Sequence, residues 1–149
     1  MIESQLGVFI DGIVNYFYQT NDKEVTVGSP YLVKLDDDIA TDYTGAIEIS
    51  GAYAGNCYFS ATTNLLRHLI LHSGETDTSE EMMIDTVGEI TNILTGNARK
   101  ELGEEFIIST PEVYVGRNIS QTLTKSQRLY GIPLEWKSQS AMLTLHLTH

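Results

Sequence analysis

The stretch 78–103, TSEEMMIDTVGEITNILTGNARKELG, constrains the chain more than any other. Met83, Val87, Ile90, Leu94, Ala98 and Leu102 recur at spacings of four and three. That period puts them on one apolar stripe of a single long α-helix. Thr78 is the expected N-cap, and Glu81 three residues on completes a capping box. Glu80, Glu81 and Asp85 complement the positive end of the helix dipole, and Arg99 and Lys100 the negative end. Gly103 is expected to close the helix in the left-handed conformation. A helix of this kind needs a scaffold that buries the stripe and leaves the other side free.

That other side is unusual. Asp85, Glu89, Asn92 and Gly96 fall opposite the stripe. A solvated face is commonly built from Lys, Glu, Gln and Ala. Here a carboxylate is followed one turn later by an amide, and one turn after that by a glycine. Gly88 and Gly96 each cost roughly 1 kcal/mol relative to Ala inside a helix. A glycine also lets another backbone come close. The face offers Glu89 and Asn92 with little bulk around them, although an ordinary wet surface has the same residue types.

The remaining chain reads as α+β. Positions 5–19 carry Leu6, Phe9, Ile10, Ile13, Val14 and Phe17 at helical spacing. Short strands are expected at 24–27 and 31–35, separated by Gly28-Ser29-Pro30. Strands at 43–50 and 53–60 form a hairpin about Gly51-Ala52. A second helix is expected at 62–72, and further strands at 104–109, 113–116, 126–136 and 140–146, with 120–125 a loop. Helices on an antiparallel, partly mixed sheet is the arrangement this order favours, in one domain over 1–149. Two exposed sheet edges would need protection.

Several chemistries find little support. No Gly-x-x-x-x-Gly-Lys-Ser/Thr phosphate loop and no Gly-x-Ser-x-Gly elbow occurs. Asp36, Asp37 and Asp38 are adjacent rather than convergent, as a solvated loop would have them. His68 and His72 have the spacing of a zinc pair, but no third ligand lies nearby in sequence. They read as the margin of a packed face, and no metal site is expected. Cys57, the single cysteine, lies in a strand pattern and reads as a small core residue. It cannot form an internal disulfide. With no signal-peptide pattern and no apolar run long enough to span a bilayer, the expected location is the cytoplasm. A net charge of −11 disfavours nucleic acid and anionic membrane as partners.

The segment from Asp85 to Arg99 resembles the signature helix of the CheC/CheX/FliY family of CheY-phosphate phosphatases. The likeness includes Glu89-x-x-Asn92, the following Gly96-Asn97-Ala98, Ser109-Thr110-Pro111, Gly116, and Gly131-Ile132-Pro133. It covers the chain from about Gly28 onward. In the first helix Asp11 is followed by Val14, and Gly12 by Asn15, so no second Glu-x-x-Asn pair is present. That absence points to the CheX branch.

The resemblance implies a CheC-like fold, with a homodimer formed through sheet edges. It also implies a hydrolase acting on the aspartyl phosphate of a CheY-like response regulator in bacterial chemotaxis. Asn92 would orient the attacking water and Glu89 would dock on the receiver's lysine. Asp85, Gly88, Gly96 and Arg99 would border the partner. The chain would need no cofactor of its own, because Mg²⁺ is held by the receiver. Both partners are acidic at this site, so short-range pairing must bring them together, and added salt would quicken association. A non-catalytic module for phosphorylated receivers or the flagellar switch is the alternative, and a purely structural dimer a third reading.

Overall fold

The computed structural model describes residues 3–19, 25–34, 41–116 and 128–148. The helices are α1 (Glu3–Tyr18), α2 (Thr63–His72) and α3 (Glu80–Leu102). The strands are β1 (Val25–Val27), β2 (Tyr31–Leu32), β3 (Tyr43–Gly51), β4 (Ala54–Ala61), β5 (Phe106–Ile108), β6 (Glu112–Val115), β7 (Tyr130–Trp136) and β8 (Gln139–Thr148). The expectations for Asp36, Asp37 and Asp38 and for the loop at 120–125 lie outside the described residues.

The strands form one eight-stranded sheet in the order β1-β7-β8-β4-β3-β5, with β2 also on β7 and β6 also on β3. Every described pairing is antiparallel, so the expected mixed character is absent among them. Both edges are made of short strand pieces, β1 and β2 on β7 at one side and β5 and β6 on β3 at the other. The alternation read in the last strand is real: Leu143, Leu145 and Leu147 are buried on the helical side, in register with Phe59, Cys57 and Gly55 of β4. The three helices cover that side and close one core containing Phe9, Phe17, Phe59, Ile90, Leu94 and Trp136. A smaller cluster, Tyr58 and Leu129 with Val33, Ala46 and Met142, covers part of the other side.

Helix α3 sits directly on β3 and β4. The approach is close enough that a Cβ on Gly45 would collide with Thr91 Oγ1 and come within 3.0 Å of the Val87 carbonyl oxygen. Only glycine lets helix and strand meet there. Thr91 and Thr95 are fully buried, and their hydroxyls donate to the Val87 and Thr91 carbonyls, each at 2.7 Å. The polar groups of the packed face are thereby satisfied within the helix.

The ends of α3 depart from expectation in detail. The N-cap is Ser79 rather than Thr78, and its side chain accepts from the Met82 N–H at 3.3 Å. The reason is local: Asp77 Oδ1 accepts from the Ser79 N–H at 2.9 Å, and that turn starts the helix one residue later. With Ser79 as cap, Glu81 is not at the position a capping box requires. At the other end Gly103 has φ 107° and ψ 170°, a glycine conformation but not the left-handed helical one. Of the strand expected at 126–136, positions 126 and 127 lie outside the described residues, and β7 begins at Tyr130.

Cys57 is fully buried, and burial pushes its thiol up to about 12. It is a core residue, as expected. His68 and His72 are exposed but set their rings edge-on to Trp136, with centroids 6.5 and 6.1 Å away. They are the margin of a packed face.

Candidate functional site

The outward side of α3 holds the residues singled out from sequence. Met83, Val87, Ile90, Leu94 and Ala98 are each at most 2% exposed. Their burial fixes the rotation of the helix about its axis. Asp85, Glu89 and Asn92 are consequently all exposed, and Gly96 is half-buried. Glu89 and Asn92 are three residues apart, hence about 60° apart in azimuth and about 4.5 Å along the axis. Their side chains form an exposed ridge rather than the lining of a cleft.

The ridge has two flanks. On one side runs α1, antiparallel to α3, and its Tyr16 is half-buried beside Glu89. Burial, and secondarily the Glu89 charge, push the Tyr16 phenol up to about 12. On the other side the 109–113 segment crosses the helix. Ser109 ties this segment to β3: its N–H donates to the Glu48 carbonyl and its Oγ accepts from the Glu48 N–H, both at 2.9 Å. Pro111 and Val113 then pack on α3.

Gly88 belongs to this second flank. It is buried, and a Cβ there would lie 3.6 Å from both Pro111 and Val113. The structure thus gives Gly88 an internal neighbour, where the sequence reading gave it a partner-facing role. Arg99 is exposed, with Nη2 3.5 Å from the Glu104 carbonyl oxygen.

Among the described residues no hydrogen bond or ion pair engages Glu89 or Asn92. No group of three His, Cys, Asp or Glu is arranged among them to hold a metal ion. The site therefore combines an amide, able to donate and accept at once, with a carboxylate on a rigid support. Such a pair can position a water or a cation.

Sequence reasoning missed two features of this surroundings. One is Tyr16, whose proximity to Glu89 arises only from helix packing. The other is a shallow recess beyond Asn92, lined by Gly96, Arg99, Lys100, Gly103, Glu104 and Ile108. Its glycines are visible in sequence, but Ile108 comes from β5.

Comparison with known proteins bears on this arrangement. The family model described as chemotaxis phosphatase CheX matches residues 43–135, more than half of the chain and all of α3. Among solved structures, the fold is similar to a CheC-like superfamily protein from Shewanella sp. PV-4, with 25% identity, a TM-score of 0.85 and full coverage of both chains. It is similar to the chemotaxis protein CheX from Vibrio vulnificus, with 24% identity, a TM-score of 0.83 and coverage of 97% of this chain and 99% of that one. It also resembles a chain of the CheX-CheY-BeF3-Mg²⁺ complex from Borrelia burgdorferi, with 16% identity, a TM-score of 0.77 and 97% coverage of each. No curated protein matches the sequence.

Proposed function

The chain belongs to the CheX family, and on that premise we propose that it is a hydrolase for the aspartyl phosphate of a CheY-like receiver domain in chemotaxis signalling. The observation that carries this reading is the pairing of an exposed carboxylate and an exposed amide on a helix locked from beneath by the core. Such a site completes another protein's active centre.

In the proposed reaction α3 lies across the receiver's phosphorylation site. The Asn92 amide donates to and accepts from one water and holds it in line with the phosphorus. The water oxygen bonds to phosphorus while the bond from phosphorus to the aspartyl oxygen breaks. The receiver carboxylate and inorganic phosphate are released, and the water's proton leaves with phosphate. Phosphoryl transfer of this kind depends on positioning and charge stabilisation more than on a strong base, so an amide suffices. Magnesium bound in the receiver would neutralise charge on the phosphoryl oxygens. Glu89 pairs with the receiver's lysine and sets the docking register. Asp85, Gly88, Gly96 and Arg99 border the contact, Gly88 where Pro111 and Val113 pack on the helix. The chain works as a cytoplasmic homodimer joined through sheet edges.

The test is loss of phosphate from a phosphorylated CheY-type receiver, with this protein at catalytic amounts. Wild type should accelerate it. Asn92→Ala should lower the acceleration by roughly 100-fold, the size of effect expected when a reacting water loses its placement. Retention of the receiver by the protein with no acceleration would favour the non-catalytic binding module. Neither retention nor acceleration would leave a structural protein.

A further inference from the structure

We propose that Gly45 is a positioning residue for Asn92: the bare strand at position 45 sets how deeply the turn of α3 at 87–91 is seated, and that depth sets how far the Asn92 amide reaches toward the phosphoryl group. The inference rests on the reading above and adds to it a residue on the far side of the helix from the receiver.

The turn at 87–91 is held from beneath and from one side. Val87 and Thr91 face the sheet and are fully buried. Beneath them, a Cβ on Gly45 would collide with Thr91 Oγ1 and lie 3.0 Å from both Thr91 Cβ and the Val87 carbonyl oxygen. Beside them, Pro111 and Val113 each lie 3.6 Å from the place of a Cβ on Gly88. Val113 is the register partner of Gly45 across the β3–β6 pair, so floor and flank meet the helix at one level. Where α1 meets α3, a Cβ on Gly12 would by contrast sit 3.9 Å from its nearest neighbours, an ordinary contact. The φ of Gly45 is not positive, so space rather than conformation requires glycine there.

The pair used in the proposed reaction leaves the helix from this same turn. Glu89 lies inside it, and Asn92 follows Thr91 directly. The Thr91 hydroxyl donates to the Val87 carbonyl at 2.7 Å. Turning it away from a new methyl group would forfeit that bond and still leave two contacts at 3.0 Å. A methyl group at 45 is therefore accommodated by outward movement of the turn. The two outer groups respond differently to such a movement. Coulomb energy falls as the inverse of distance, so stretching the Glu89 pair from about 4 to about 4.5 Å changes it by about a tenth. In-line placement of a water is far steeper: a shift of about 1 Å can cost roughly 100-fold. Lifting the turn should thus reach turnover before it reaches docking. Losing volume elsewhere in the core leaves this seat in place, whereas adding volume at the seat does not.

The experiment is a double-variant cycle in the full chain: wild type, Gly45→Ala, Thr91→Ala and Gly45→Ala/Thr91→Ala. Each is assayed with phosphorylated CheY-type receiver for KM and for kcat per folded molecule, alongside its Tm. With threonine at 91, Gly45→Ala should lower kcat about 10-fold and change KM by less than about 2-fold. With alanine at 91 the atom nearest the added methyl group is gone, and the same substitution should lower kcat only about 2- to 3-fold. A merely structural role predicts a lower Tm with kcat per folded molecule unchanged, and that result overturns the inference. Equal losses of kcat in both backgrounds also overturn it, because the contact with Thr91 is then not what transmits the change. Where Gly45→Ala alone does not fold, the double variant measured against Thr91→Ala decides: the smaller loss of kcat at equal KM supports the inference, and equal kcat overturns it. An inactive wild type overturns the phosphatase reading and this inference together, whereas an active wild type with an equally active Gly45→Ala overturns the inference alone.

Discussion

The two sides of α3 obey different rules, and the contrast shows how a ridge of exposed side chains can be held in a fixed direction. On the inner side Met83, Val87, Ile90, Leu94 and Ala98 are buried, and the two buried threonines satisfy their hydroxyls against the helix backbone. On the outer side Glu89 and Asn92 are exposed, without a hydrogen-bonding partner among the described residues. Active sites commonly fix their groups with supporting hydrogen bonds. Here the positioning is done from below: the core sets the azimuth of the helix, and azimuth sets the direction of each outer side chain. In the proposed reading, stability and function are thereby separated onto opposite sides of one element.

Substitutions can break that separation or sharpen it. The largest effect is expected at Leu94, which is 1% exposed and central to the core. Leu94→Ala should destabilise the fold by about 2–5 kcal/mol in a denaturant titration. Phosphate release per folded molecule should stay within about twofold of wild type. A much larger loss from fully folded Leu94→Ala protein would mean that the core tunes the site continuously, and the two sides would not be separable. The next effect belongs to the outer side. Glu89→Gln should weaken binding of the phosphorylated receiver by about 2 kcal/mol, roughly 30-fold, with no change in the denaturation midpoint. Equal affinity would remove Glu89 from the interface.

What could be read from sequence divides along the same line. The inner stripe of α3, the β3–β4 hairpin and the alternation of β8 were legible because each follows a period that burial enforces. The candidate pair Glu89 and Asn92 was legible as exposed, since whatever lies opposite the stripe must face out. Its chemistry was not legible from spacing, and only the resemblance assigned it. Glycines were the least legible. Gly88 and Gly96 lie about 40° to either side of Asn92 in azimuth, so the helical period treats them alike. The crossing of Pro111 over Gly88 distinguishes them, and that is a property of the β5–β6 connection. The contact of Gly45 with Thr91 and the nearness of Tyr16 to Glu89 are likewise tertiary facts.

The start of α3 is a finer case of the same limit. Thr78 and Ser79 are adjacent and chemically equivalent as caps, and the three-residue spacing to Glu81 favours Thr78. The structure selects Ser79, because Asp77 holds the Ser79 N–H and turns the chain before the helix begins. Backbone capping therefore depends on a side chain upstream of either candidate. Ser79→Ala should cost about 1 kcal/mol of stability, measured by denaturation, while Thr78→Ala should cost well under half of that. Turnover should be unaffected in both, since the cap lies about 19 Å along the helix axis from Asn92 and the core stripe holds the azimuth between them. If Thr78→Ala proved the more damaging, the capping box would operate in solution. Glu81 would then be recruited to the helix start, and the first turn would be set by local sequence rather than by the Asp77 turn.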